Sequence, residues 1–163
     1  MIRPAAISDA LAIAQVHVDT WRATFKGIVP QAYLDAMAYD ERGAMWHRTL
    51  SEPKASSTFV AVEDDRVVGF AGCGPVRQPI GECVGELYAL YVSPEAQGRS
   101  HGRHLYEACL SNLRKRSLTP GVVWVFPSNP AVQFYEKMGG VKSFDHSISI
   151  GGETLAEIGL LVA

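Results

Sequence analysis

Between residues 83 and 105 the chain runs through ten mostly apolar positions, a proline, a glycine-containing turn and the start of an amphipathic run. No other segment limits the fold as much. The stretch 83–92 holds a single acid, Glu86, and predicts a central strand buried on both faces. Pro94 ends it. Residues 102–116 then place Leu105, Cys109 and Leu113 on one helical stripe, with Arg114, Lys115 and Arg116 where the helix dipole favours cations. A strand feeding such a helix through a tight turn leaves the first helical N–H groups unpaired and aimed at one point. Arg99, Arg103, His101 and His104 add positive charge around that turn, so the segment predicts a pyrophosphate site. It is not a P-loop, because GxxxxGK[ST] is absent, and not a dinucleotide fingerprint, because GxGxxG is absent.

The rest of the chain supplies elements around that strand. Residues 1–4 predict a short strand, and Ser8 and Asp9 an N-cap and acidic first turn for a helix carrying Leu11, Ala14, Val18 and Trp21. Gly27 and Pro30 interrupt it, and a second helical region follows over 31–50, kinked near Tyr39 and Asp40. A polar loop over 51–57 contains Pro53. Strands are predicted at 58–62 and 67–74, joined by a tight turn at Asp64-Asp65, and at 122–126. Asn129-Pro130 opens a short helix to about 138, which Gly139-Gly140 stops. A closing hairpin of 141–149 and 155–162 turns at Gly151-Gly152. The pattern predicts a single α/β domain over 1–163, without repeats or linkers.

Composition removes several classes of function. Hydrophobic residues are 47% and charged residues 20%, as in a globular chain. Lys plus Arg is 15 against Asp plus Glu 17, and a net charge of -2 argues against a general binder of nucleic acid or membrane surfaces. Three cysteines without CxxC spacing indicate neither a disulfide framework nor structural zinc, and Cys73, Cys83 and Cys109 read as buried inert thiols. His101 and His104 have no third ligand at metal-binding spacing, so no metal is expected. No run of 18 apolar residues exists, and Asp9 and Asp19 interrupt the first 19 residues where a signal peptide would be continuously apolar. A cytoplasmic protein is expected.

The chain resembles the GNAT superfamily of acyl-CoA N-acyltransferases over essentially its whole length. That family carries [QR]xxGx[GA] after a strand ending in V-x-P, and here Gln97-Gly98-Arg99-Ser100-His101-Gly102 follows Val92-Ser93-Pro94. A second motif, an Asn after the next strand and then a helix with F-Y-x-x-x-G, appears as Asn129 and Phe134-Tyr135-Glu136-Lys137-Met138-Gly139. The opening IRPA…DA…I and residues 21–30 are similar to a common bacterial branch. The resemblance implies a mixed, mostly antiparallel central sheet, splayed around a coenzyme-binding strand and flanked by about four helices. It implies acetyl-CoA as co-substrate, with its pyrophosphate on the amides of Gln97, Gly98, Arg99, Ser100, His101 and Gly102, beside Arg103. Leu90, Tyr91 and Val92 would pair with the pantetheine arm as a strand edge pairs with an added strand. An N–H near Leu90 or Tyr91 would polarise the thioester carbonyl. Asn129 and Phe134 would contact the coenzyme, and Tyr135 would sit at the sulfur. The chain departs from the family at three places: Ser100 replaces a glycine, His101 an Ile or Leu, and Trp124 stands where some relatives have a glutamate.

Acetyl transfer to nitrogen needs a neutral amine. A lysine-like amine with a pKa of about 10.4 is uncharged to roughly one part in 2,500 at pH 7, a deficit near ~4.6 kcal/mol that a base partly offsets. Glu86 is the candidate base, because period two puts it on one strand face with Tyr88, Leu90 and Val92. The alternative is a buried acid paired with an arginine or a backbone amide. Tyr135 is the family's proton donor to the departing thiolate. A tyrosine near 10 gives its proton to a thiolate near 8.5 uphill by roughly 2 kcal/mol, so it acts chiefly as a hydrogen-bond donor. Trp21, Phe25, Tyr33 and Trp46 fall in the region that roofs the acceptor pocket in this family, where they either line it or pack the core. Glu63 and Glu82 are candidates for steering a cationic amine. His17, His47 and His146 read as surface or satisfied core residues. The expected activity is direct acetyl transfer, in a ternary complex, to the primary amine of a small molecule. The alternatives are a non-catalytic acyl-CoA sensor and a protein lysine or N-terminal acetyltransferase. A homodimer through the closing hairpin is expected by analogy alone.

Overall fold

Seven segments with strand periodicity hydrogen-bond into one sheet of order β1-β2-β3-β4-β5-β7-β6. The computed structural model describes residues 1–52 and 55–163, so Pro53 in the predicted polar loop lies outside the described residues. The strands are β1 (Ile2–Pro4), β2 (Ser57–Glu63), β3 (Arg66–Ile80), β4 (Cys83–Val92), β5 (Gly121–Val125), β6 (Val141–Ile150) and β7 (Glu153–Val162). The helices among the described residues are α1 (Ala10–Thr24), α2 (Gln31–Ala36), α3 (Tyr39–Ser51), α4 (His101–Lys115) and α5 (Ala131–Lys137). Neighbouring strands are antiparallel except β4 and β5. This is the mixed, mostly antiparallel sheet expected. There are five described helices instead of about four, because the second helical region divides where Met37 and Ala38 turn extended. The Arg22 guanidinium stabilises the break by donating to the carbonyls of Leu34 at 3.2 Å and Met37 at 2.5 Å.

Two further local expectations are corrected. Ser8 does not cap α1; it sits in a 3-10 turn spanning Ile7–Asp9. Asp9 does the anchoring, accepting from the Ala6 N–H at 2.7 Å and from Arg3 Nη1 and Nη2 at 2.7 and 3.0 Å. Strand β3 also runs past Gly74 to Ile80, through Pro75 and Pro79, because its pairing to β4 is irregular there and a missing N–H breaks no regular ladder.

The sheet carries apolar clusters on both faces. Leu87, Val123, Val125 and Leu160 pack under Leu105, Cys109 and Leu113 of α4 and Val132 and Tyr135 of α5. Val60 and Phe70 pack under Ile13, Ala14 and Val16 of α1 and Trp46 of α3. Truncating a side chain buried as fully as Leu105 costs about 2–5 kcal/mol.

Two irregularities set β4 apart from the other strands. Gly72 and Cys73 of β3 oppose Ala89 and Leu87, so Tyr88 is the extra residue of a β-bulge. A one-residue insertion flips the alternation. Leu90 and Val92 therefore pack with Leu87 on the α4 face, while Ala89 and Tyr91 pack toward α1. The predicted shared face of Glu86, Leu90 and Val92 is thereby corrected: Glu86 lies on the side of Ala89 and Tyr91. The second irregularity is a splay. β5 runs parallel to β4 only where 121–123 meets 85–87. Beyond Leu87 no strand among the described residues pairs with that side of β4.

Candidate active site

The splay opens a cleft of ≈ 1170 Å³ between β4 and β5, and it reaches from the start of α4 to the β6–β7 hairpin. At one end it gathers Leu90, Tyr91, Val92, Gln97, Gly98, Ser100, His101, Gly102, Arg103, Asn129, Phe134 and Tyr135. At the other it gathers Trp21, Phe25 and Glu86, together with Thr20, Arg77, Trp124, His146 and Glu157. Two residues expected at the site, Arg99 and Tyr33, are not among its lining. Tyr33 packs against Trp21 with ring centroids 6.1 Å apart. Trp46 is buried in the core, where its Nε1–H donates to His17 Nδ1 at 3.1 Å. Burial pushes His17 down to about 3, so it stays neutral.

The turn into α4 curls its amides inward because two residues adopt left-handed backbone. Gly98 has φ +77, and Ser100, the N-cap of α4, has φ 65. Successive N–H groups in such a turn form a concavity suited to an anion, and the positive end of α4 adds to it. Gln97 Nε2 donates to the Val92 carbonyl at 3.0 Å and ties this turn to the end of β4. Glu63 holds two of the side chains expected at the phosphates: Arg99 Nη1 lies 2.6 Å and His101 Nε2 2.9 Å from its carboxylate oxygens. Hydrogen bonds from His101 and then Arg99 hold the Glu63 carboxyl below its ordinary range. Glu63 and Glu82 are absent from the cleft lining, so neither is placed to steer an amine there. Arg103 lines the cleft while pairing with Glu107 one helical turn on, at 2.8 Å.

Across the cleft, Asn129 Oδ1 accepts from the Ala131 N–H at 2.9 Å at the start of α5, so the donor capacity of its side chain lies in the NH2. Tyr135 projects from α5 into the apolar cluster and is 4% exposed. Burial raises its hydroxyl well above the ordinary tyrosine range, and the neighbouring Tyr91 adds to the effect. Burial likewise pushes Tyr91 up to about 12.

The far end of the cleft is polar on one sheet face. Glu86 sits opposite Val122, two residues before Trp124; Trp124 pairs with Gly159, two residues after Glu157; and Glu157 pairs with His146. Period two therefore puts Glu86, Trp124, Glu157 and His146 on the same side. Glu86 lines the cleft, but its carboxylate accepts from Arg77 Nε at 3.1 Å, Nη2 at 2.5 Å and the backbone N–H at 3.0 Å. It is thus the buried acid paired with an arginine and an amide. The Arg77 guanidinium also lies over the Tyr88 ring, 4.9 Å from its centroid. Trp124 and His146 stack with centroids 3.6 Å apart and planes 13° from parallel, and His146 Nε2 lies 2.8 Å from Glu157 Oε1. Gly159 permits this stack: a Cβ there would meet the indole at 2.8 Å. Among the described residues, Thr20 Oγ1 and Trp21 Nε1 are buried without a hydrogen-bond partner.

Sequence reasoning missed Arg77, His146 and Glu157 as site residues. Arg77 lies on the part of β3 beyond its predicted end. His146 and Glu157 did carry a signal, since they stand equally far from the two-residue turn at Gly151-Gly152 and so must face each other. Among the described residues no group of three or more His, Cys, Asp or Glu is placed to hold a metal ion.

Residues 14–140 match the acetyltransferase (GNAT) family model. Over 160 residues the chain is 34% identical to the uncharacterized N-acetyltransferase YuaI of Bacillus subtilis (strain 168), covering 98% of this chain and 90% of that protein. A crystal structure of a GCN5-related N-acetyltransferase from Rhodopseudomonas palustris superposes with a TM-score of 0.77 at 25% identity, covering 99% of this chain and 93% of the other. The structure of yncA from Salmonella typhimurium with its cofactor acetyl-CoA superposes with a TM-score of 0.72 at 20% identity, covering 99% and 92%.

Proposed function

Because the chain belongs to the acetyltransferase (GNAT) family, we propose that it moves an acetyl group from acetyl-CoA to the primary amine of a small molecule, by direct transfer in a ternary complex. One observation carries this: β4 parts from β5 after Leu87, next to the left-handed Gly98 and Ser100 at the start of α4. An unpaired strand edge takes an extended amide-bearing arm as an added strand, and converging amides at a helix start take a pyrophosphate. Acetyl-CoA has both parts, and acetyl-CoA bound to the Salmonella neighbour supports the same co-substrate here. Its thioester supplies an activated acetyl group.

The chain's own residues do the rest. The amides from Gln97 to Gly102, with Arg103 beside them, bind the phosphates. The edge at Leu90, Tyr91 and Val92 aligns the arm, with an N–H near Leu90 or Tyr91 polarising the carbonyl. The Asn129 NH2 and the Phe134 ring hold the arm from the other wall. Tyr135 stays protonated, because burial raises its hydroxyl. That same shift makes it a weaker acid, so it donates a hydrogen bond to sulfur and keeps its proton.

Trp21 of α1 and Phe25, the residue that ends α1, line the cleft with bulky aromatic rings, which supports a small molecule over an extended peptide. The proposal includes a cytoplasmic location and a homodimer through the β6–β7 hairpin, where Val141 and Ile148 are exposed. Calorimetry with acetyl-CoA, followed by thiol detection with a panel of primary amines, tests it. Binding near one to one with amine-dependent thiol release is expected. A second reading, a non-catalytic acyl-CoA sensor, is favoured by the left-handed Ser100 and by the diversion of Arg99 to Glu63. Binding without thiol release would select it.

A further inference from the structure

We propose that His146, held by Glu157 and stacked on Trp124, is the general base that takes the proton of the acceptor amine. This rests on the acetyl-transfer reading above. A nucleophilic amine must lose a proton on the way to amide, and the cleft has few groups able to receive it. Glu86 is engaged by three donors from Arg77. His101 is held by Glu63 at the phosphate end. The buried phenols are raised by desolvation and stay protonated. At the position where some relatives carry a glutamate stands Trp124, and its indole passes over Gly159 to the ring of His146 two strands away.

The geometry specifies which atom receives the proton. Glu157 is a carboxylate and only accepts, so His146 Nε2 carries the hydrogen of the 2.8 Å contact. Nδ1 then holds the lone pair, and Glu157 stabilises the imidazolium once Nδ1 is protonated. The stacked indole fixes the ring plane. The side chains are 33% and 12% exposed for His146 and Glu157, so the pair is reachable from the cleft yet partly shielded. In the step, the amine lone pair forms the N–C bond to the acetyl carbonyl carbon and the amine proton passes to Nδ1. The C–S bond breaks with its electron pair on sulfur, where Tyr135 donates a hydrogen bond. The thiolate then takes a proton from water, and His146 returns its own to solvent. The charged or titratable groups facing the pair are Glu157 itself on β7, Arg77 on β3, and Glu86 and Tyr91 on β4; Arg77 and Tyr91 both feel the Glu157 charge.

The test follows thiol release from acetyl-CoA with glycinamide, phenethylamine and 1,4-diaminobutane across pH, for the wild type, His146→Gln and Glu157→Gln, with acetyl-CoA affinity measured on each. General base catalysis contributes about 10²–10⁴-fold, so His146→Gln should lower kcat at least ~100-fold and abolish the acidic limb of the pH profile while acetyl-CoA affinity holds. Glu157→Gln, which removes a positioning residue, should shift that limb to lower pH with a smaller loss of rate. A His146→Gln protein that keeps both limb and rate overturns the assignment. If that variant no longer binds acetyl-CoA, ring ¹⁵N shifts of the wild type decide: a neutral His146 protonated at Nε2 supports the base, and one protonated at Nδ1 overturns it. A wild type that binds acetyl-CoA but releases no thiol with any of the three amines overturns the acetyl-transfer reading, and this assignment with it.

Discussion

Arg77 holds the Glu86 carboxylate from two directions, with its guanidinium on Oε1 and its own backbone N–H on Oε2. Glu86 is 2% exposed, so the three donors satisfy a carboxyl group at a depth where an unpaired polar group would be costly. It also joins the irregular end of β3 to β4 just before the bulge at Tyr88.

Glu86→Gln separates a brace from a base. The amide keeps an acceptor for Arg77 and loses the charge. With the base at His146, kcat should fall less than tenfold, and hydrogen bonds to a charged group worth about 1.5–3 kcal/mol should be weakened, lowering Tm by a few degrees. Steady-state thiol release and thermal melts check both. A loss of ~100-fold or more at unchanged acetyl-CoA affinity would return the base to Glu86.

Ser100→Gly relieves a left-handed backbone at a residue with a Cβ. Left-handed conformation costs a non-glycine residue about 1–2 kcal/mol, and glycine's extra unfolded-state entropy takes back about 0.4–1 of it. A net gain of several tenths of a kcal/mol to ~1 is expected, or up to about 4 °C in Tm for a chain of this size. Acetyl-CoA should bind as tightly or tighter by calorimetry. A lower Tm would mean that the Ser100 hydroxyl contributes more than its backbone costs.

Tyr135→Phe removes the buried hydroxyl proposed to donate to the thioester sulfur. A hydrogen bond to a developing thiolate is worth about 1.5–3 kcal/mol, so kcat should drop roughly 10- to 150-fold while acetyl-CoA affinity changes little. Equal losses in kcat and affinity would assign Tyr135 to packing.

His17 links stability to acid. Its native value is pushed down to about 3 by burial, whereas an unfolded histidine titrates near ~6.5. Between those values the unfolded chain binds the proton and the native one does not, so stability rises with pH across that window and is lost on acidification. The contribution is up to ~1.4 kcal/mol per pH unit for one proton. His17→Gln keeps an acceptor for the Trp46 N–H and should flatten the stability profile by about one proton over that window, as read by urea melts at several pH values.

Much of this molecule is legible in its sequence. The apolar run over β4, the stripe on α4 and the Gly151-Gly152 hairpin are local patterns, and local patterns report the backbone directly. The residues expected to hold the coenzyme came from contiguous motifs, and most of them line one cleft. Arg99 was the exception, because its partner Glu63 lies on β2, far away in the chain.

By itself the sequence determined the order of elements, the strand-to-helix turn and the family. Each of these depends on spacing within a few residues of backbone. Tertiary structure alone decided three things. The bulge at Tyr88 reversed the side-chain alternation of β4, since a bulge depends on how two strands register and leaves no mark on either one. Arg77 took the carboxylate of Glu86, because β3 runs on through two prolines to reach it. Trp124 met His146 across Gly159, because the indole needed an α-carbon without a Cβ two strands wide of any sequence neighbour. These are contacts between side chains that only a folded sheet brings together.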